Sequence, residues 1–378
     1  MELLKYKTEI ISRIINSNEV IVYGAGTMGT AVRKCITDAP YNLSVKCFIV
    51  KNMEDNAYSV DELPVIDTAH ASTYKDSTIL IALNSKFIPE VVNDLTEAGF
   101  TNLIPISFDG DEWSTIRGNW MRFHGIIPAG IIYLSDVSSE NYKLNNIPSI
   151  SDYFHIYVAH SIYDKNLIEN TVDKPYEISI QVGAALTDQI MYDVRDCIGD
   201  DNISDRNRQY CELTGIYWAW KNDTADYIGF SHYRRKFVLT SEQFNAILTE
   251  NIDIIVTEPI VNFATVRGQY AKDHIAKDWD IFIDVIGELA PEYLSAAELI
   301  QDSIYYYAYN MFIMKKDIFD EYCNFIFPIL ERCEELIGLK EDIYQNRYVG
   351  FLAERLLSIF IAKNLKYTIA IADKHFIE

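Results

Sequence analysis

Glu19–Ile36 reads EVIVYGAGTMGTAVRKCI, and the fold class of the N-terminal half follows from it. Val20–Tyr23 is a short β-branched run that feeds directly into Gly24, Gly26 and Gly29, a G-x-G-x-x-G pattern between a predicted strand and a predicted helix. Glycines in that setting permit a tight turn and let a diphosphate approach the helix N-terminus, where free N–H groups and the helix dipole favour an anion. Outward from this turn, VKCFIV (Val45–Val50) and STILIAL (Ser77–Leu83) read as buried strands. FIPEVVNDLTEAGF reads as an amphipathic helix and NLIPIS (Asn102–Ser107) as a further strand. The pattern predicts an α/β, Rossmann-like, doubly wound domain of nucleotide-binding type over residues 1–107.

The strand after that helix ends in Lys51-Asn52, where a dinucleotide site ordinarily places an acid on the ribose hydroxyls. A structural, dimerising or nucleotide-sensing role is therefore expected ahead of NAD-dependent redox chemistry, with a homodimer as one form of it. The start of the chain, MELLKYKTEIISRI, alternates charged and apolar residues at helical spacing and reads as an amphipathic helix with no signal-peptide core. From Phe108 to Asp152 the periodicity weakens, and Gly110, Gly118, Gly125, Pro128, Gly130 and Pro148 predict a connecting segment, with Ile126–Leu134 as a strand or helix within it.

Composition bounds the partners. The 378 residues suit two domains, and 49% hydrophobic content with 26 tyrosines describes a globular chain rich in flat amphipathic rings. A formal net charge of −22 opposes phosphate backbones, which disfavours nucleic acid. Six cysteines without a C-x-x-C pair read as free thiols of a reducing cytoplasm. No window approaches the roughly 18 to 20 apolar residues of a membrane span, so membrane contact is expected to be peripheral, at the inner face.

The second domain is predicted over residues 153–378. It opens with a strand, Phe154–Ala159, that stops at His160 and Ser161. Polar residues there fall at the edge where open α/β sheets bind ligands. Asn202 and Ser204 offer N-cap chemistry for one helix reaching Lys221, with Asn207, Cys211, Thr214, Trp218 and Lys221 on one mixed stripe and Arg208 and Glu212 beside it. Asp226–Phe230 reads as a central strand followed by His232, Tyr233, Arg234 and Arg235. Paired guanidiniums bind diphosphate oxygens bidentately and neutralise a departing nucleoside diphosphate. Surface salt bridges are the plain alternative. Ile252–Ile260 reads as a buried strand, and Asn310 is placed at the start of an apolar strand behind a cluster of tyrosines.

The run QVGAAL, NIS..N..YCELTGIYWAWKN, DYIGFSHYRRKF, QY...H, YNMFIMKKDIFDEYC and NRYVGFLAERLLSIF resembles a bacterial capsular and exopolysaccharide family. That family was formerly catalogued as a domain of unknown function, and its members are regarded as GT-A-type glycosyltransferases. The resemblance covers most of residues 153–360. It implies a GT-A-like domain that moves a hexose from a UDP-sugar to a lipid-linked or growing polysaccharide, in capsule, exopolysaccharide or O-antigen synthesis. Galactofuranose is a recurring donor sugar among such enzymes, so UDP-galactofuranose or UDP-galactose is the expected donor.

Within that frame Glu354, set among apolar neighbours on a helix from about Arg347, is the first candidate for the base that takes the acceptor proton. An ion pair with Arg347 or Arg355 is the structural alternative. Glu212, Asp226 and His232 are further candidates. Donor contacts are expected from His160, Gln181, Asn202, Asn207, His232, Arg234, Arg235, Asn310 and Arg347, and acceptor contacts from Trp218, Tyr270 and His274. GT-A enzymes usually hold a divalent cation with Asp-x-Asp at a central strand end. Here that place reads Ser231-His232-Tyr233, while Asp278-Trp279-Asp280 lies in a helical pattern and reads as a solvated face. Charge neutralisation by arginine, without metal, is the expectation. Two other classes compete: an NAD-dependent oxidoreductase acting through the glycine turn, and a non-catalytic polysaccharide-binding module.

Overall fold

The structure is a computed structural model that describes residues 9–17, 19–54, 56–108, 110–126, 131–137, 149–167, 174–262 and 264–377. It forms two compact units, Met1–Ala129 and Gly130–Glu378. In the first, strands β1 (Val20–Tyr23), β2 (Val45–Val50), β3 (Ser59–Val60), β4 (Leu63–Asp67), β5 (Thr78–Leu83) and β6 (Asn102–Ser107) form one sheet in the order β3-β4-β2-β1-β5-β6. All neighbours from β4 to β6 are parallel. Helices α1 (Glu9–Ile15), α2 (Thr27–Thr37), α3 (Ile88–Glu97) and α4 (Asp111–Phe123) complete the unit. The continuous apolar runs of β1 and β5 are buried, as strands covered on both faces must be. Residues 1–8 of the predicted first helix lie outside the described residues.

From β1 the chain moves to β2 and β4 on one side, then returns to β5 and β6 on the other, so a crevice opens at the C-terminal ends of β1 and β5. The three glycines do different things there. Gly24 has φ +106°, and a Cβ on it would meet Ala82 O at 2.8 Å. A Cβ on Gly29 would stand 1.8 Å from Gly24 O, so this glycine is what lets α2 pack on the turn. Gly26 has nothing within 4 Å. At the end of β2, Lys51 is paired with Glu90 and Asp94 of α3 at 2.8 and 3.3 Å.

The expected connecting segment, residues 108–152, is structured over much of its described length. Asp111–Phe123 is helical and buries Trp113, Ile116, Trp120 and Met121. Trp120 Nε1 donates to Asp38 Oδ2 at 3.0 Å, and Asn119 Nδ2 donates to Tyr41 Oη at 3.0 Å. The apolar period was present in the sequence, but Gly118 inside it and Gly110 and Gly125 at its flanks masked it. Ile132–Tyr133 is β7 and pairs with the last strand of the second unit.

The second unit continues through β8 (Phe154–His160), β9 (Glu177–Gln181), β10 (Val194–Arg195), α5 (Asn207–Tyr210), α6 (Leu213–Asn222), β11 (Tyr227–His232), β12 (Arg235–Val238), α7 (Ser241–Thr249), β13 (Ile254–Thr257) and β14 (Ile260–Val261). It ends with α8 (Val266–Asp273), α9 (Ala276–Leu289), α10 (Leu294–Asp302), β15 (Tyr305–Tyr306), β16 (Phe312–Lys315), α11 (Lys316–Ile337), α12 (Tyr348–Lys363) and β17 (Ile369–Phe376). β10, β9, β8 and β11 run parallel, and β11 is flanked by β8 on one side and antiparallel β16 on the other. β13 lies antiparallel to β16 and parallel to β17, and β17 also pairs with β12. One face of this sheet carries a core of Phe154, Ile156, Tyr227, Phe244, Ile255, Ile313 and Ala370. The C-terminal ends of β8, β9, β11 and β13 and the start of β16 therefore share one edge, and the site is built on it.

Candidate functional site

Six-residue β11 separates two residues the sequence reading had placed together. Asp226 precedes the strand, and its carbonyl accepts from Lys316 N at 2.8 Å. His232 closes the strand at the opposite edge. At about 3.3 Å per residue the two lie roughly 20 Å apart, so Asp226 is removed from the site. Tyr233 and Arg234 form a tight hairpin, with His232 opposite Arg235.

Across β16, the chain enters through Tyr309 and Asn310, both left-handed at φ 70° and 49°. This two-residue corner binds three candidates at once. Tyr309 O bonds to His232 Nε2, Tyr309 N donates to Glu354 Oε1 at 3.1 Å, and Asn310 Nδ2 donates to Glu212 Oε1 at 2.7 Å. A carboxylate only accepts, so the amide orientation of Asn310 is fixed by chemistry. Glu354, on α12, is also bonded to Arg355 Nη1 at 2.8 Å. Burial raises its pKa, the Arg355 charge lowers it, and the charge of Glu212 adds to the rise. The ion pair and the half-buried carboxyl thus coexist. Arg355 itself is buried and anchored to Phe351 O and Gln269 Oε1 at 2.8 and 3.1 Å.

Glu212 stands where one helix was expected and two occur. Cys211 has φ 52°, and α5 stops before it. Asn207 Nδ2 donates to Cys211 O at 2.7 Å and to Thr214 Oγ1 at 3.0 Å, stitching the break and spending its own donors. The break turns Glu212 to the Tyr309–Asn310 corner. Arg347, just before α12, is exposed and donates Nε to Cys211 Sγ at 3.2 Å.

Several expected donor contacts are internal instead. Gln181 is buried and holds the following loop through Gln189 O at 2.7 Å and Met191 N at 2.8 Å. Asn202 bonds Gly199 O and Ser204 N within its own turn, at 2.7 and 3.2 Å. Of the acceptor candidates, Trp218 donates to Ile198 O at 2.9 Å and packs edge-on against Tyr157. Tyr270 is fully buried on α8 against Trp279 and Arg355. Each is committed by packing that sequence spacing does not report. His274, at the end of α8, stacks on Phe351 with centroids 4.1 Å apart, and burial drops its pKa to about 4, so the ring is neutral near pH 7. Asp278 is buried in a pair with Lys340 at 2.8 Å, not on a solvated face, while Asp280 pairs with Arg267 at 2.7 Å.

Arg235 lies over the rings of Tyr309 and Phe376, with its Cζ 4.5 and 5.2 Å from their centroids, and Arg234 lies over Phe376 at 4.8 Å. Arg234 Nε also donates to Ile377 O at 3.4 Å. His160 ends β8 beside Tyr192, with Asp164 Oδ2 at 3.7 Å. Sequence reading missed Asp164. Its Oδ2 accepts from Ser161 N at 3.0 Å, and burial pushes its pKa up to about 6 against the lowering pull of that bond and of His232. A folded-state pKa above the unfolded one means that stability is complete below about pH 3.8 and is lost as pH rises through 6. Asp164→Asn is therefore expected to raise stability by about 2 kcal/mol at pH 8 and to leave it unchanged at pH 3.5, as urea titrations at the two pH values would read. Equal gains at both would refute the assignment.

Asp196 was also missed. Fully buried, it accepts from Gly183 N at 2.7 Å, Ala184 N at 3.0 Å, Thr214 Oγ1 at 2.6 Å and Ser204 Oγ, fixing the turn after β9 to α6. No cluster of three or more His, Cys, Asp or Glu residues able to hold a metal occurs among the described residues, and none of their helices is long and apolar enough to cross a membrane.

No curated protein matches the chain. The chain is similar to the apo structure of WbbM, a bifunctional glycosyltransferase, with 27% identity, a TM-score of 0.54 and coverage of 60% of this chain and 45% of that one. It thus spans under half the length of that structure. A Rex-family repressor, RSP, aligns over 31% of this chain and 65% of its own at 13% identity, and core-mannan synthase A from Aspergillus fumigatus over 95% and 74% at 11%. Both have a TM-score of 0.22, at which neither establishes a shared fold. The profile of one family matches residues 156–365, more than half of the sequence, and the chain belongs to that family, the domain of unknown function DUF4422.

Proposed function

We propose that the second unit is a GT-A-like glycosyltransferase, with the first as a Rossmann-like accessory module. The observation that carries this reading is the convergence of Glu354, Glu212 and His232 on the Tyr309–Asn310 corner, at the sheet edge where α/β folds bind ligands. Family membership and the similarity to WbbM support it. In the proposed reaction the acceptor hydroxyl gives its proton to Glu354 and its oxygen forms a bond to the anomeric carbon of the donor sugar. The bond from that carbon to the diphosphate breaks, and the electron pair leaves with the nucleoside diphosphate. Attack opposite the departing group inverts the anomeric centre. His232, Arg234 and Arg235 stabilise the charge that develops on the diphosphate, with His160 completing the donor side.

The donor proposed is a UDP-hexose, UDP-galactofuranose or UDP-galactose. The acceptor is a lipid-linked or growing polysaccharide at the inner membrane face. Redox chemistry at the glycine turn is disfavoured, because Lys51 in its pairs with Glu90 and Asp94 occupies the strand end where a ribose-binding acid would stand. The test is release of UDP from a panel of UDP-hexoses by the whole chain, with calorimetric UDP binding in parallel. Arg234→Ala/Arg235→Ala is expected to weaken UDP binding about 30-fold, as loss of two charge-assisted contacts would. Absence of UDP release from every sugar, or unchanged binding in the double variant, would sink the proposal.

A further inference from the structure

The Tyr309–Asn310 corner carries three costs on two adjacent residues. Both are left-handed without being glycine, a conformation that side chains rarely adopt and that persists only where surroundings enforce it. In addition Asn310 is 1% exposed and its Oδ1 has no hydrogen-bond partner. Buried polar atoms in that state are few in native folds and each calls for a reason. The hydrogen bonds supply one: from this corner the backbone reaches His232 and Glu354 while the Asn310 amide reaches Glu212. Four elements remote in sequence, the end of β11, the α5–α6 break, the entry to β16 and α12, meet here.

We propose that Asn310 is a positioning residue, held in a strained and incompletely satisfied state because its amide fixes Glu212 beside Glu354 and the corner aims both at the acceptor hydroxyl. This rests on the transferase reading above. The groups facing Glu354 are Arg355 on its own helix, Glu212 and the Cys211 thiol from the α5–α6 break and His232 from β11, with Tyr309 N on its Oε1. Glu212 is therefore the one like charge among them, and the side chain of Asn310 decides where that charge sits.

Asn310→Gly separates the two roles a residue can have at such a corner. Glycine accepts the left-handed backbone without strain and removes the unsatisfied oxygen, which offsets the lost bond to Glu212 and the added chain entropy, so the melting temperature is expected to stay within a few degrees of the wild type. Loss of the hold on Glu212 is expected to lower kcat about 30-fold, with KM for the UDP-sugar changed by less than about threefold, because Asn310, expected from the sequence to touch the donor, spends its amide on Glu212, and Arg234 and Arg235 lie in the β11–β12 hairpin. Asn310→Ala, which keeps the strain, is expected to show the same kcat loss with a lower melting temperature. A glycine variant that keeps wild-type kcat, or whose melting temperature falls as far as that of the alanine variant, overturns the assignment alone. A wild-type chain silent toward every UDP-hexose overturns the transferase reading and the assignment with it.

Discussion

Glu354→Gln is expected to lower kcat for transfer about a thousandfold while leaving KM for the donor within about threefold, the signature of a base needed only as the acceptor loses its proton. Glutamine keeps one carbonyl oxygen, which can serve Arg355 Nη1 or Tyr309 N but not both, while Arg355 retains Phe351 O and Gln269 Oε1, so the melting temperature should fall by only a few degrees. That is what distinguishes chemistry from the ion pair: a merely structural Glu354 would lose stability and keep turnover. The pH profile gives a second reading. Burial and the charge of Glu212 raise the pKa of Glu354, so the acid limb of kcat should lie above the ordinary carboxylate range. Glu212→Gln, which removes one cause of the rise, should move that limb to lower pH. A limb that does not move would separate the two carboxylates.

Asp196→Ala should destabilise the second unit by about 4 kcal/mol, the scale of removing a buried charge that other groups depend on. Three donors, the N–H groups of Gly183 and Ala184 and the hydroxyl of Ser204, would lose this acceptor, and Thr214 Oγ1 would be left with Cys211 O at 3.1 Å. Asp196→Asn should cost roughly half as much, since its single carbonyl can serve only part of that set. Chemical denaturation would measure both, and equal stability of all three proteins would refute the role. Because the carboxylate ties the turn after β9 to α6, both variants should also lose activity before they unfold.

How much of this was legible in the sequence depended on whether the signal was local. The glycine turn and its flanking strand are short-range patterns, and the structure places Gly24 and Gly26 between β1 and α2 and Gly29 in the first turn of α2. His232 closes β11 at the strand end that the apolar run before it made visible. Asp226 was misplaced because an acid flanking the apolar run was weighed for its chemistry although it precedes the strand, at the end opposite the ligand edge. Gln181, Asn202 and Trp218 read as site residues because a polar or aromatic side chain near an edge looks alike whether it meets a ligand or a backbone carbonyl. Asp196 and Asp164 went unseen for the complementary reason. The partners of Asp196 lie 8 to 18 residues away, and the burial that raises the pKa of Asp164 is created by the fold. The break at Cys211 was hidden because nothing about a cysteine announces a left-handed residue.

The position of β17 bears on how the chain is made. Residues 369–376 fill the slot between β13 and β12, and Ala370 and Ala372 join the central apolar cluster. Until β17 has emerged from the ribosome, both bordering strands present unpaired N–H and C=O groups along that slot. Synthesis proceeds at about 5 to 20 residues per second, so the emerging second unit waits with two sticky edges while the first has long been able to close its own parallel sheet. The two units thus differ in their exposure to misassembly during translation, and the burden of chaperoning falls on the one that carries the candidate chemistry.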